Sequence, residues 1–318
     1  MTAAPVIFLM GPTATGKTDL AVGLVARFAV DIVSVDSALV YRGMDVGTAK
    51  PSPAVLARAP HRLVDCVAPT ESYSAARFRD EALAAIRDIH GVGRVPLLVG
   101  GTGLYFRALE QGLSPLPGAN PELRARLARL REREGNAALH ARLAALDAAS
   151  AARIHPNDPQ RVQRAIEVFE ITGRPMGEWL AAGRGAAFPF PLLKLVLMPR
   201  DRDVLRQRIA RRLEHMLAAG LVDEVRRLRA EEEVSRELPS MRAVGYRQVW
   251  GYLEGEYDLA EMKRRLHTAT ARLAKRQMTW LRAESGAVAL DPFGPRVEDG
   301  LGGRIARFLE AHGAGVNG

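Results

Sequence analysis

The sequence contains a single cysteine, Cys66, among 318 residues, so no disulfide can form within the chain. This excludes the small secreted folds that depend on disulfides for stability, and it is typical of a protein from a reducing compartment. No catalytic motif surrounds Cys66, so we expect a small buried core residue rather than a nucleophile. We therefore expect a cytoplasmic protein.

Long apolar runs are also missing. No stretch approaches the roughly 18 apolar residues that a membrane-spanning helix requires, so we expect no membrane contact. Residues 1–5 have no basic residue ahead of an apolar stretch, which does not support a secretory signal. The composition, with 47% hydrophobic and 25% charged residues, is that of a folded globular protein. No exposed heptad seam is evident, so we expect a monomer.

Lysine is scarce, at five of the 45 basic residues, and arginine supplies the rest of the positive charge. The formal net charge is +9, and the segment 194–282 alone contains 20 basic residues against 13 acidic ones. A basic surface attracts polyanions, and phosphate contacts supply most nonspecific affinity for nucleic acids. Charge alone leaves two interpretations open: a nucleic-acid partner, or a solvated arginine-rich surface.

The first hundred residues alternate between apolar runs and helical periodicity. Residues 6–10, 31–36 and 95–101 are apolar runs of strand length, and residues 19–28 and 73–89 have helical spacing. Continuous apolar runs separated by helices are typical of a parallel sheet covered on both faces. We expect an α/β fold, with a P-loop-containing parallel sheet flanked by helices.

The pattern changes near residues 114–118, a segment rich in proline. From there to about residue 185 only helical patterns occur, including a helix predicted to begin with Asp158 as N-cap and Pro159 at its first position. A further strand-like run follows at residues 192–198, so the helical block is predicted to be an insertion. The predicted organisation is a P-loop core over 1–114 and 188–318 and a helical insertion domain over 115–187.

The segment Gly11–Thr18 matches the pattern G-x-x-x-x-G-K-[ST], directly after a predicted strand and before a predicted helix. That context predicts a P-loop, whose glycines let backbone N–H groups turn toward phosphate oxygens. The helix N-terminus adds partial positive charge, Lys17 adds a cation, and the Thr18 hydroxyl is suited to ligate Mg²⁺. The residues expected to bind a diphosphate are Gly11, Thr13, Ala14, Thr15, Gly16, Lys17 and Thr18, with Thr18 as the metal ligand.

Two further polar residues follow strands of the same predicted sheet. Asp36 ends the second strand and Thr102 follows the third, at the carboxyl edge where α/β proteins bind ligands. Asp36 can ligate Mg²⁺ through water, act as a base, or only cap the next helix. Thr102 can likewise be an N-cap. Their position beside a P-loop favours a role in the site.

Basic residues recur at helical spacing later in the chain. Arg208 and Arg212 lie four apart and so share one helix face, which is compatible with binding a diphosphate or with solvent exposure. The stretch 242–248 is basic and contains Tyr246, and residues 272–282 place several cations on one face. These segments can meet RNA phosphates or stack on a base, although Tyr246 and the nearby tryptophans are more often core residues.

Together these stretches resemble the tRNA dimethylallyltransferase family, also called tRNA isopentenyltransferase. The resemblance extends from Ile7 to about Arg282. The stretches that carry it are the P-loop, residues 36–41 continuing into 43–51, residues 100–105, residues 155–161, residues 242–248 and residues 274–277.

The resemblance implies transfer of a dimethylallyl group from dimethylallyl diphosphate to N6 of the adenosine immediately 3′ of the anticodon in tRNA. Asp36 is then the general base, Thr102 positions the reacting groups, and Arg212 stabilises the departing diphosphate. The cofactor is Mg²⁺, and the helical insert clamps the anticodon loop. The residues implied to contact tRNA are Asp36, Ser37, Ala38, Leu39, Thr102, Arg124, Gln160, Arg161, Val162, Gln163, Arg164, Arg242, Gly245, Tyr246 and Arg247.

Three alternatives remain open from the sequence. An adenylate isopentenyltransferase would use free AMP, although the basic C-terminal region favours a polynucleotide. A small-molecule kinase would use a nucleoside triphosphate and transfer a phosphoryl group. An RNA-binding protein whose P-loop only holds phosphate would show no turnover.

Overall fold

The computed structural model describes residues 4–183 and 188–314, and its centre is one parallel sheet. Among the described residues, six strands pair in the order β3-β2-β4-β1-β5-β6. Their bounds are β1 (Val6–Met10), β2 (Val30–Val35), β3 (His61–Arg62), β4 (Val95–Gly100), β5 (Leu192–Leu197) and β6 (Val288–Leu290). The predicted parallel α/β sheet is therefore confirmed.

The chain divides into two compact units, Met1–Arg107 with Pro189–Gly318, and Ala108–Phe188. The helices of the first are α1 (Lys17–Val25), α2 (Pro53–Arg58), α3 (Ala75–Gly91), α9 (Arg202–Ala218), α10 (Leu221–Arg229), α11 (Tyr246–Leu253), α12 (Leu259–Leu281) and α13 (Val297–Ala311). Those of the second are α5 (Pro121–Leu146), α6 (Ala148–Arg153), α7 (Pro159–Thr172) and α8 (Met176–Ala181). The unit boundary falls within α4 (Gly103–Gln111).

The core of the sheet unit follows from its apolar strands. All five residues of β1 are fully buried, with β4 on one side and β5 on the other. One face of the sheet packs against α1 and α13 through Leu24 and Ile305. Burying a large apolar side chain contributes about 1.5–3 kcal/mol, so these central strands hold the sheet rigid. That rigidity fixes the strand ends from which the polar residues emerge.

The helical unit has its own small core. Leucines from α5 pack with residues of α6 and α7, among them Leu127, Leu143 and Ile166. Gly135, with φ of 83°, interrupts α5 and produces a kink. The predicted start of α7 is confirmed, because Asp158 accepts a hydrogen bond from the Arg161 backbone and Pro159 occupies the first turn.

The sequence pattern missed the two short outer strands. Strand β3 has two residues, and β6 has three with an exposed central residue, so neither shows an apolar run.

Cys66 was also expected to be buried but is partly exposed. Burial nonetheless raises the pKa of its thiol, which opposes nucleophilic reactivity. Within the ranges described, no helix is long and apolar enough to cross a bilayer.

The last residue of β4 leaves no room for a side chain. A Cβ on Gly100 would lie 2.0 Å from the backbone oxygen of Val35, its partner on β2. Separating two central strands there would also disturb Asp36 and Thr102, which follow them directly. Glycine is therefore required at this point of the sheet edge.

We expect Gly100→Ala to lower the free energy of unfolding by about 1–3 kcal/mol or more, because the added methyl overpacks a backbone contact. Gly303→Ala is the matched control, since its Cβ meets nothing within 4 Å in α13. It should instead raise stability by roughly 0.5–1 kcal/mol. Urea unfolding followed by circular dichroism measures both, and equal effects of the two substitutions would contradict this account.

Candidate active site at the carboxyl edge of the sheet

The P-loop joins β1 to α1 through a backbone that side chains hold from several directions. Gly16 and Ala14 have positive φ angles, of 81° and 65°, which bend the loop back on itself. The Gly11 N–H donates to the Gly100 oxygen at 3.2 Å and so ties the loop to β4. Inside the turn, the Thr15 hydroxyl donates to the Pro12 oxygen at 2.8 Å. The loop is thus closed and is anchored to the neighbouring strand.

Lys17, at the start of α1, has an unusual electrostatic environment. Its ammonium donates to the Pro12 oxygen at 2.7 Å. Burial, reinforced by the like charge of Arg212, lowers the pKa of Lys17 from its usual 10.5 to about 7. The opposite charge of Asp36 offsets only part of this effect. Burial likewise lowers the pKa of Arg212. Two partly dehydrated cations facing one carboxylate form a site that favours an added anion.

Asp36 follows β2, and one oxygen of its carboxylate caps the next turn. Oδ1 accepts hydrogen bonds from the backbone N–H of Ala38 at 2.8 Å and of Leu39 at 3.4 Å. Oδ2 accepts none from residues 4–183 or 188–314. The sequence left capping as an alternative to a role as a base or as a water-mediated Mg²⁺ ligand. The structure shows that one carboxylate can do both, because capping uses only one of its two oxygens. The free oxygen can accept a proton from a bound group.

Thr102 bridges the loops that follow β2 and β4. Its hydroxyl oxygen accepts from the Ser37 N–H at 3.2 Å, while its own N–H donates to the Val35 oxygen at 3.3 Å. Thr102 also caps α4, but through its backbone: its carbonyl oxygen accepts from the N–H groups of Tyr105 and Phe106 in the first turn of that helix. The hydroxyl proton is left to donate to a ligand beside Asp36.

Helix α9 brings two arginines to this edge. Arg208 donates from Nε to the Ala14 oxygen of the P-loop at 2.9 Å. Arg212 donates from Nη2 to the Thr48 oxygen at 3.3 Å, and its charge acts on both Lys17 and Asp36. The shared face that the sequence indicated therefore points at the P-loop rather than at solvent alone.

Helix α12 supplies two residues that were not predicted for the site. The Gln277 side chain accepts from the Thr13 N–H at 2.8 Å and donates to the Gly101 oxygen at 3.0 Å. Trp280 packs where a Cβ on Gly103 would lie, within 2.5 Å. Thr13 was expected to bind the diphosphate, but its N–H is already occupied by Gln277. Gln277 lies in the stretch 274–277 that carries the family resemblance, but neither that stretch nor the i, i+3 spacing of Gln277 and Trp280 indicated a contact with the P-loop.

The segment predicted to contact RNA is exposed only in part. Arg242 and Arg247 are exposed, whereas Tyr246 is fully buried at the start of α11. In this conformation Tyr246 therefore offers no exposed ring to an RNA base, and its contact with tRNA stays a prediction. Gly245, with φ of 105°, permits the sharp turn that separates the exposed and buried residues.

In the helical unit the predicted RNA contacts surround a buried acid. Glu167 is fully buried and accepts from both Arg124 and Arg164, with distances of 2.6–3.0 Å. These bonds hold the two guanidinium groups in place. Val162 is fully buried in the unit's core, so its side chain is not available to RNA in this conformation, and its contact with tRNA stays a prediction. Gln160 and Arg161 are exposed, and Gln163 is partly exposed.

Comparison with known proteins gives consistent matches. A family model described as IPP transferase matches residues 39–284. A tRNA dimethylallyltransferase of Alkalilimnicola ehrlichii is 60% identical over 306 residues, which cover 96% of each chain. One of Thioalkalivibrio sulfidiphilus is 58% identical over 287 residues, or 90% of each.

Two solved structures are similar along nearly the whole chain. The tRNA isopentenylpyrophosphate transferase of Bacillus halodurans is 36% identical, has a TM-score of 0.71, and is matched over 97% of this chain and 98% of its own. A eukaryotic dimethylallyltransferase described as acting on tRNA has a TM-score of 0.77, over 99% of this chain and 81% of its own. At 24% identity the latter supports the fold alone.

The pKa of Lys17 predicts a pH-dependent affinity for inorganic diphosphate. Because the anion binds the ammonium form, the advantage of the wild-type chain over Lys17→Met should be largest below about pH 7. It should decline by up to about tenfold per pH unit as the pH rises further. Isothermal titration calorimetry from about pH 6 to about pH 9 measures both dissociation constants.

Ionisation of the diphosphate itself affects both proteins equally and cancels in the ratio of their dissociation constants. The exposed Lys263→Met variant is the control and should follow the wild type. A ratio that stays constant across the pH range would show that Lys17 does not bind the anion through a titrating ammonium.

Proposed function

This chain belongs to the IPP transferase family and is a prenyltransferase that acts on tRNA, and we propose that it transfers the dimethylallyl group of dimethylallyl diphosphate to N6 of the adenosine immediately 3′ of the anticodon. The reaction leaves N6-dimethylallyladenosine and diphosphate. The family membership rests on the match over residues 39–284 and on a relative that is 60% identical over 306 residues.

One observation carries the proposal for this site: Lys17, Arg212 and Asp36 interact electrostatically at the mouth of the P-loop. A diphosphate brought there would favour the charged form of Lys17 and would pair with the Arg212 guanidinium. The Asp36 carboxylate lies beside the same space, and its Oδ2 accepts no hydrogen bond from the described residues. The site therefore combines groups that hold a leaving anion with a group that removes a proton.

The bond changes follow from that combination. The bond between the allylic carbon and the diphosphate oxygen breaks, and the diphosphate leaves with the electron pair. Lys17, Arg212 and the P-loop N–H groups stabilise the negative charge that develops on it. The lone pair of N6 forms the new C–N bond, and the proton of N6 passes to Oδ2 of Asp36.

Thr102 and the turn after Asp36 are suited to orient the adenine. The exocyclic amine is a weak nucleophile because its lone pair is delocalised into the ring, so position matters more than intrinsic reactivity. The Thr102 hydroxyl is held by Ser37 and remains able to donate. The adenosine must leave the stack of the anticodon loop to reach these groups.

The residues at the P-loop fit a Mg²⁺ ion held mainly by substrate. Thr18 offers a hydroxyl, whereas the described part of the chain holds no cluster of three His, Cys, Asp or Glu residues suited to a metal. Mg²⁺ is commonly bound by few protein groups together with phosphate oxygens and water. When bound, it would neutralise charge on the diphosphate oxygens.

The RNA contacts that we propose combine accessible polar side chains with the partly exposed Ala38 and Leu39 and the buried Gly245. In the sheet unit they are residues 36–39, Thr102, Arg242, Gly245 and Arg247. In the helical unit they are Arg124 and Arg164, held by Glu167, together with Gln160, Arg161 and Gln163. Oriented arginines suit phosphate recognition because their donors are already in place. We propose that the protein acts as a cytoplasmic monomer.

The reaction can be tested by incubating the protein with Mg²⁺, dimethylallyl diphosphate and unmodified tRNA, followed by nucleoside mass analysis. We expect a prenyl-sized mass gain on adenosine, and none when Lys17 is changed to Ala or when guanosine replaces the adenosine 3′ of the anticodon. A gain on AMP but not on tRNA would indicate a free-nucleotide enzyme. Phosphoryl transfer from ATP without prenylation would indicate a kinase.

Asp36→Asn should separate binding from proton transfer. The amide oxygen can still accept from Ala38, so the turn should persist, but the group no longer accepts a proton. We expect kcat to fall by about 10²–10⁴-fold while KM for both substrates changes little. Asp80→Asn, an exposed substitution of the same kind, should leave kcat unchanged. An Asp36→Asn enzyme with kcat close to that of the wild type would exclude the general-base role.

A further inference from the structure

A buried carboxylate outside the site organises the segment that holds Arg212. Glu224 lies on α10 and is 1% exposed. Its Oε2 accepts from the backbone N–H groups of Asp45 and Val46, at 2.9 and 2.7 Å. Its Oε1 accepts from the Gly47 N–H at 2.9 Å and from the Tyr246 hydroxyl at 2.6 Å. Four donors satisfy this carboxylate, although no basic side chain among the described residues pairs with it.

Three consecutive N–H groups directed at one anion form a backbone nest. The turn that contains them continues directly to Thr48, and its later N–H groups close back on it, with Lys50 donating to the Asp45 oxygen at 2.9 Å. The Thr48 oxygen is the atom that accepts from Arg212. Glu224 thus fixes the first half of a turn whose second half holds the Arg212 guanidinium.

The same carboxylate also holds the segment that leads to Arg247. Tyr246 packs its ring so closely on Gly47 that a Cβ there would lie 2.6 Å from it. Burial raises the pKa of Tyr246, and the charge of Glu224 raises it further, so the phenol stays protonated as a donor. Tyr246 is preceded by Gly245 and followed by the exposed Arg247, both proposed to contact tRNA.

We propose that Glu224 is a positioning residue for the prenyl transfer. Its carboxylate joins the segment Gly245–Arg247, which is proposed to contact tRNA, to the Arg212 guanidinium at the diphosphate site. This inference rests on the proposed function. Glu224 is too buried to touch either substrate, so it acts through the turn at residues 45–48 and through Tyr246. A displacement of that turn moves the carbonyl that orients Arg212, and small displacements of a reacting group are costly in rate.

Glutamine at this position tests the charge while keeping the volume. The carboxylate has acceptor sites for all four donors, whereas an amide replaces one oxygen with an NH₂ group that cannot accept. At least one N–H of the turn then loses its partner. We expect Glu224→Gln to lower kcat by about 10- to 100-fold and to raise KM for tRNA, in a protein that remains folded.

Steady-state kinetics with dimethylallyl diphosphate and unmodified tRNA provide the measurement. Wild-type turnover is recorded first, so absence of the proposed reaction is distinguished from failure of this inference. Thermal unfolding confirms that each variant is folded at the assay temperature. Glu231→Gln, an exposed substitution in the segment after α10, is the control and should behave as the wild type.

A double-mutant cycle identifies the route of the effect. If Glu224 acts through Arg212, combining Glu224→Gln with Arg212→Gln should lower kcat no further than Arg212→Gln alone. Losses that multiply would instead show an effect on the fold in general and would overturn the inference. Tyr246→Phe keeps the ring and removes one donor, so it should give a smaller loss with a raised KM for tRNA. A folded Glu224→Gln variant with wild-type kinetics overturns the inference; if that variant does not fold, wild-type kinetics of Tyr246→Phe do so.

Discussion

The arrangement at the sheet edge depends on keeping two cations partly dehydrated beside one carboxylate. Burial lowers the pKa of both Lys17 and Arg212, the charge of Arg212 lowers the pKa of Lys17 further, and Asp36 compensates only in part. Such an arrangement is unfavourable for the protein alone and becomes favourable when a multiply charged anion enters. Function here therefore requires a scaffold rigid enough to hold charges that would otherwise separate.

Backbone carbonyls are the main means of holding those charges. Pro12 accepts from Lys17, Ala14 from Arg208, and Thr48 from Arg212. A carbonyl orients a cation without neutralising it, so the positive charge stays available for the leaving diphosphate. Asp36 is the carboxylate that the site places near these cations, whereas the buried Glu224 carboxylate lies away from the P-loop and binds backbone N–H groups. In the helical unit, the buried Glu167 orients arginines in a similar way.

Distant parts of the chain complete the site because the strand ends meet at one edge. Gln277 lies 264 residues after Thr13, yet it bonds to that residue and to Gly101. Small residues make this contact possible, since a Cβ on Gly101 would lie 2.4 Å from the Gln277 side chain. Glycines at the sheet edge therefore serve two functions: they let neighbouring strands close, and they let α12 reach the P-loop backbone.

Local sequence patterns were sufficient to predict most of the strands and the phosphate-binding loop. Apolar runs predicted the four longer strands, and the residues of the P-loop predicted a phosphate site, because strand burial and loop turning depend on neighbours in sequence. The spacing of Arg208 and Arg212 also indicated a shared face. What spacing could not decide was whether that face points to solvent or to the P-loop.

Only the tertiary structure decided which residues contact one another. Tyr246 is aromatic and stands among arginines, so its sequence context is compatible with base stacking, yet packing on Gly47 buries it. Val162 was likewise predicted to contact tRNA, but it lies on the buried face of α7, whose other face is polar. Glu224 had no distinguishing local signal, and the stretch 274–277, although part of the family resemblance, did not indicate what Gln277 contacts. Their roles arise from hydrogen bonds across 177–179 and 264 residues, respectively. Sequence therefore determined the elements and the chemistry of the P-loop. The contacts that orient Arg212 and that join Gln277 to the P-loop exist only after folding, because they link groups that no local periodicity relates.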